Sequence, residues 1–223
     1  MAANQPNILF VMTDHQRADS LGMMQDGKEV TPNLNRLAER STQFRRAYNT
    51  CPLCVPARTA LATGLPPHVN GVIYNDWKGE TAGHYPPLHQ FLQQRGYHLG
   101  HVGVHHIRVS PPLEERVPFA LWYSNPDYVR YLREQGLPPR ERAGFTRECR
   151  ELGHDGRWHV RSYSSTRTGV FPYGAEHFMD WCFAEAACRF LREAPEERPF
   201  ALFVYFWAPH PPLIVPQPYA SLF

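Results

Sequence analysis

The sequence predicts an α/β sandwich, helices on both faces of a mainly parallel, mixed sheet, and three observations predict it. Residues 7–13 (NILFVMT) and 200–208 (FALFVYFWA) are almost continuously apolar, as strands covered on both faces are. Segments of helical periodicity separate such runs. The apolar runs also end beside polar groups, at Asp14-His15, His105-His106 and His210. Sandwiches of this kind gather ligands at the carboxyl ends of their strands.

Taken in order, residues 7–13 read as a buried strand. Residues 31–40 (TPNLNRLAER) read as a helix, with Thr31 as N-cap, Pro32 in the first turn and Leu34 and Leu37 on one face. Residues 43–48 suit a short strand, and residues 57–63 a helix start stopped near Gly64. Residues 87–95 (PLHQFLQQR) form a helix with Leu88, Phe91 and Leu92 on one side, closed by Gly96. Residues 97–104 form a strand. Residues 110–173 are irregular, polar and rich in Pro, Arg and Gly, which predicts loops and short helices, a candidate lid. Residues 175–193 (AEHFMDWCFAEAACRFLRE) place Phe178, Trp181, Cys182, Ala186 and Phe190 at helical spacing. The second apolar strand follows Pro199.

The 223 residues are 43% hydrophobic, enough for one large domain with a real core. The formal charge of +2, without a run of like charge, argues against a nucleic-acid binder. No stretch reaches the ~18 apolar residues of a membrane helix, and residues 8–12 are too short a run for a signal peptide. Five cysteines, an odd number, fit a reducing compartment. The expectation is a soluble, cytoplasmic chain with no nucleic-acid or membrane partner and an unspecified oligomeric state.

The stretch CPLCVPARTALATG, residues 51–64, carries the chemistry. As a zinc clip, Cys51 and Cys54 need two further ligands, and Cys149, Cys182 and Cys188 are single and distant. A redox pair needs a thioredoxin-like unit, and two ordinary cysteines are the plain alternative. A thiol at a helix N-terminus faces unpaired N–H groups and the positive end of the dipole, where an anion is favoured.

The pattern Cys54-Val55-Pro56-Ala57-Arg58, with Thr63-Gly64 beyond it, resembles the signature of the sulfatase family. PNILFVMTDHQRADSLG resembles that family's opening strand and metal loop. TPNLNRLAER and its continuation through Pro67-His68, GYHLGHVGVHH, and FALFVYFWAPHPPLIVP resemble three further blocks. Together they cover most of residues 6–107 and 175–219; residues 108–174 carry none of the pattern and are read as a variable insertion or lid.

The resemblance implies an alkaline-phosphatase-like fold and hydrolysis of sulfate esters of small molecules or sugars. It implies that a maturase oxidises Cys54 to formylglycine, whose hydrate attacks sulfur with a divalent cation, Ca2+ or Mg2+, or Mn2+. Asp14 matches a metal-ligating Asp; His15 stands at the next ligand position, where it serves as a ligand or as a hydrogen-bond partner to its neighbours. Arg58 and His106 match residues that steady the nucleophile, and His210 matches the histidine that contacts the ester and protonates the leaving group. Val104 stands where the family usually carries a lysine, worth ~1.5–3 kcal/mol as a charge-assisted contact. That departure favours phosphonate or phosphate ester hydrolysis as the alternative, with His105 a partial replacement for the lysine. Asn75-Asp76 are candidates for substrate contact. Trp122, Tyr123, Tyr128 and Tyr131 either pack the insertion or wall the substrate pocket. The family's remaining metal ligands lie further along its members, so 1–223 is expected to be the N-terminal part of one catalytic domain, incomplete at the C-terminus, or a non-catalytic fragment.

Overall fold

The computed structural model describes residues 5–75, 81–83, 85–137, 146–153, 155–164 and 167–223. The chain runs β1 (Ile8–Met12), a small hairpin of β2 (Met24–Gln25) and β3 (Lys28–Glu29), α1 (Pro32–Ala38), α2 (Cys54–Thr63), α3 (Pro67–Asn70) and α4 (Leu88–Gln94). It continues through β4 (His98–Gly103), α5 (Leu113–Arg116), β5 (Leu121–Tyr123) and α6 (Asn125–Glu134). The last elements are β6 (Thr146–Leu152), β7 (Trp158–Ser164), β8 (Thr168–Val170), α7 (Met179–Glu193), β9 (Phe200–Tyr205) and β10 (Leu213–Val215). Among the described residues no helix is long and apolar enough to cross a membrane.

The central sheet has the order β1-β9-β4-β5, and each of its pairings is parallel. Though last of the four in sequence, β9 lies between β1 and β4, with Met12 and Gly103 both opposite Tyr205. This register brings the carboxyl ends of three strands level. The residues that follow them therefore leave the sheet along one rim. Close packing there requires Gly103: its φ is +100°, and a Cβ would lie 1.9 Å from the Tyr205 carbonyl oxygen.

Alternate residues of β9 feed two cores. Ala201, Phe203 and Tyr205 pack with Leu99 of β4 and with Val55 and Ala62 of α2. Leu202 and Val204 pack with Val102 and with α6 and α7 through Leu132, Phe183, Ala187 and Phe190. Helices thus cover both faces, and the layered α/β fold is the one predicted.

Several elements differ from expectation. β1 is an edge strand, and Leu9 and Val11 point away from the cores, each 53% exposed, so its apolar run is covered on one side only. Residues 43–48 form no strand; Phe44 and Tyr48 stand in solvent with no partner strand beside them. In α4 the inward residue is His89, 1% exposed, while Leu88 and Phe91 face outward. Thr31 occupies the N-cap position of α1 without a capping bond, its hydroxyl donating to the Ser20 carbonyl instead (2.9 Å). α7 begins at Met179, because Phe178 is extended and separates it from a 3-10 turn at Ala175–His177. Its Trp181 is 42% exposed, and Phe183 takes the central buried place. Residues 110–173 are more regular than expected: they supply β5 of the central sheet, α6, and an antiparallel hairpin of β6 and β7.

Candidate active site

Cys54 is the first residue of α2, preceded by extended Leu53, which provides no side-chain cap. The next N–H, that of Val55, donates to Asn75 Oδ1 (3.0 Å), so Asn75 closes the helix start. Asp76 lies outside the described residues. The Cys54 sulfur is 3.7 and 3.8 Å from the Asp14 carboxylate oxygens and 4.0 Å from His15 Nε2. Burial raises the thiol's pKa, the Asp14 charge raises it further, and Arg58 opposes both. The helix terminus therefore does not produce a ready thiolate, contrary to what position alone suggests; desolvation and a neighbouring anion outweigh the dipole.

Asp14 is 6% exposed at the end of β1. Arg58, on the next turn of α2 from Cys54 and 4% exposed, lies 3.4 Å from Asp14 Oδ2 through Nη2. Its Nη1 donates to the Val104 carbonyl (3.0 Å), and its guanidinium carbon is 5.3 Å from the Tyr205 ring centroid. The position expected to hold a lysine thus contributes a backbone acceptor that fixes the arginine.

His15 and His106 follow β1 and β4, and each has a left-handed backbone, φ 60° and 54°. That conformation is uncommon outside glycine and recurs at functional sites. The rings form a chain around the thiol: His15 to His210 at 4.4 Å, His210 to Trp207 at 4.1 Å, Trp207 to His106 at 6.1 Å between centroids. His210 Nδ1 donates to the Pro211 carbonyl (2.5 Å). Burial lowers the His210 pKa, with the Pro211 bond and Asp14 pulling the other way. His106 is pushed down to about 3, chiefly by burial and then by Arg58, so it acts as a neutral imidazole. His105 is likewise pushed down to about 4 by burial and Arg58. It accepts the Ile107 N–H and stands edge-on to His101, so it carries no charge at neutral pH to replace the lysine.

The strand-end reading thus brings Asp14, His15, Cys54, Arg58, His106 and His210 to one rim, beside an open cleft of about 940 Å3 lined by Thr13, Tyr48 and Leu53 among others. Cys51 does not join the cluster of possible metal donors among the described residues. In the aromatic group on β5 and α6, Trp122 stacks on His101 at 4.1 Å and Tyr128 donates to the His177 carbonyl, while Tyr131, bonded to His177 Nδ1, and Tyr123 line a separate cleft of about 500 Å3 away from Cys54. Three contributors were not foreseen. Tyr205 lies beneath Arg58, and Trp207 packs on His210. Asp180 accepts from the Trp207 and Ala208 N–H groups (2.8 and 2.7 Å), fixing the segment that carries His210. Trp207 stood beside the Pro-His motif, but nothing near Asp180 in sequence marks it.

The donor set tests the expected cation. Hard Ca2+ takes six to eight oxygens and Mg2+ an octahedron of them. In the two candidate metal clusters among the described residues, Asp14 is the one carboxylate; the other donors are imidazoles and sulfur. These residues alone do not complete a Ca2+ or Mg2+ shell.

Comparison with known proteins bears on the family. The sulfatase family model matches residues 6–223. The chain is similar to an arylsulfatase of Clostridium perfringens, 26% identical over 98% of this chain and 46% of the relative. It is similar to human iduronate 2-sulfatase, 27% identical over 97% of this chain and 37% of that protein. Among solved structures, a phosphonate monoester hydrolase of Agrobacterium radiobacter shares the fold, with a TM-score of 0.70 and 23% identity over 98% of this chain and 44% of its own. The chain spans less than half the length of these curated relatives.

Proposed function

The chain belongs to the sulfatase family, and from that premise we propose that the Cys54 rim is the catalytic centre, or a part of it, of a sulfuric ester hydrolase. The observation that carries this reading is the position of the Cys54 sulfur, at the start of α2 and 3.7 Å from Asp14, within the C-x-P-x-R pattern. Formylglycine, generated at Cys54 by a maturase, supplies the nucleophilic hydroxyl of an aldehyde hydrate. Asp14, His15 and residue 54 are the groups that would hold the divalent cation.

The chain's own residues have definite tasks. Arg58 orients Asp14 through a buried contact, and its position one turn from residue 54 lets the same guanidinium face the hydrate. His210 acts in its doubly protonated form: the Nδ1 proton stays on the Pro211 carbonyl, and the proton on the second nitrogen passes to the departing alcohol, leaving a neutral ring. Neutral His106 offers a hydrogen bond to the nucleophile from the far side. The open cleft admits a substituent as large as a sugar, which agrees with the sugar-sulfate names of relatives such as iduronate 2-sulfatase.

One observation favours a second reading. Val104 removes the ammonium that sulfatases usually aim at the ester oxygens, which favours phosphonate or phosphate monoesters on the same residues. Steady-state assays of the protein co-expressed with a maturase separate the two. An aryl sulfate turned over faster than an aryl phosphonate, and neither by Cys54→Ala, supports the sulfatase reading; the reverse preference overturns it.

A further inference from the structure

We propose that, while Cys54 is still a thiol, Cys54, His15, His210 and Asp14 form a binding site for a borderline-soft divalent cation, with Zn2+ as the fitting ion. Candidate ligand atoms of His15, Cys54 and His210 all lie within 4.8 Å of one another. Asp14 Oδ1 is 3.7 Å from the sulfur and 3.8 Å from His15 Nε2, and the sulfur is 4.0 Å from that nitrogen. Zinc–ligand bonds of ~2.0–2.3 Å at tetrahedral angles set neighbouring donors ~3.3–3.6 Å apart. Among Asp14, Cys54 and His15 the separations exceed these by only a few tenths of an ångström, and the His210 nitrogen, within 4.8 Å of the Cys54 and His15 donors, closes in by side-chain rotation.

The surroundings also fit. Arg58 occupies Asp14 Oδ2, leaving Oδ1 toward the sulfur and His15. The His210 Nδ1–H bonds a backbone carbonyl, the outer hydrogen bond that orients metal-ligating histidines. His15 is half-exposed at the cleft, giving an ion a way in. Thiolate and imidazole donors suit zinc and disfavour the hard cations that the family resemblance implies. Ligation replaces the S–H proton with the metal and releases that proton to solvent. It ties up the sulfur, so the loaded thiol resists alkylation. Sequence spacing hides this site, because its ligands come from two strand ends and a helix start; Cys51 of the C-x-x-C pair has no part in it.

The site belongs to the unconverted chain and needs no ester, so its test is independent of the hydrolysis reading. The reduced, metal-free protein is titrated with Co2+ and then with Zn2+. The expected result is a thiolate-to-cobalt charge-transfer band with the intense visible bands of four-coordinate Co2+, both bleached by one equivalent of Zn2+. Cys54→Ala loses the charge-transfer band and Cys51→Ala keeps it. His15→Ala, at a half-exposed position that folding does not require, weakens Co2+ binding by at least ~10-fold, as loss of a zinc-site group does. Absence of a thiolate band in the unaltered protein, its survival in Cys54→Ala, its loss in Cys51→Ala, or unchanged affinity in His15→Ala overturns the proposal.

Discussion

Arg58 and Asp14 are both almost fully buried, and each is the other's counter-charge. Removing one partner of such a pair strands a charge in the interior and costs ~3–5 kcal/mol. Arg58→Met is therefore expected to lower the urea-unfolding free energy by about that amount. Arg58→Lys recovers little of it, because an ammonium on a single stem cannot reach both Asp14 and the Val104 carbonyl. His210 makes a different prediction. If it protonates the leaving oxygen, His210→Ala reduces kcat by ~10²–10⁴ for an alkyl sulfate. The loss is much smaller for a 4-nitrophenyl ester, whose leaving group needs no proton; equal losses on both esters contradict the role. At this scale the sequence was informative where a motif existed, at Asp14, Cys54, Arg58, His106 and His210. It was silent about Asp180 and Tyr205, whose parts depend on where folding brings them.

The strands and helices place those residues, and two positions test how. Asp180 uses one oxygen for Trp207 N–H and the other for Ala208 N–H. Asp180→Asn offers one acceptor in place of two and leaves a half-buried N–H short of a partner, a loss of ~1 kcal/mol. The segment leading to His210 is expected to loosen, with kcat falling more than the urea midpoint predicts. Gly103→Ala places a Cβ against the Tyr205 carbonyl, so β4 and β9 cannot keep their spacing. The expected outcome is a large fall in melting temperature or insoluble protein. Sequence periodicity revealed β4, β9 and α7 because their runs are long and apolar. It missed β5, whose three residues are too few to show a period, and the β6–β7 hairpin, whose polar strands pair with each other away from the cores. It misread residues 43–48, which have no neighbouring strand to pair with.

Across the whole molecule, the level strand ends turn four separated sequence blocks into one rim, and the polar residues closing each apolar run foreshadowed that convergence. The same architecture buries three neighbouring histidines. Burial pushes His89 down to about 3 and His105 to about 4, and holds His101 well below its ordinary value. Both ring nitrogens of His89 lack hydrogen-bond partners among the described residues, and its ring packs 4.1 Å from Phe203. Each histidine takes up a proton more readily once unfolded, with a pKa of ~6.5. Their stabilising effect is therefore full above that value and is lost as pH falls toward about 4 and 3, by up to ~1.4 kcal/mol per pH unit for each group. Urea midpoints should fall steeply between about pH 7 and about pH 5, and His89→Phe should flatten the slope by one proton's worth. In the proposed function, catalysis at this rim depends on the thiol of residue 54 being exchanged for an aldehyde, and mass spectrometry of the peptide spanning it, from protein co-expressed with a maturase, tests that directly. The predicted peptide is lighter, having lost hydrogen sulfide and gained one oxygen, and it reacts with a hydrazide. A peptide that keeps an unaltered, alkylatable thiol, from protein made beside a maturase that converts a control sulfatase, contradicts it.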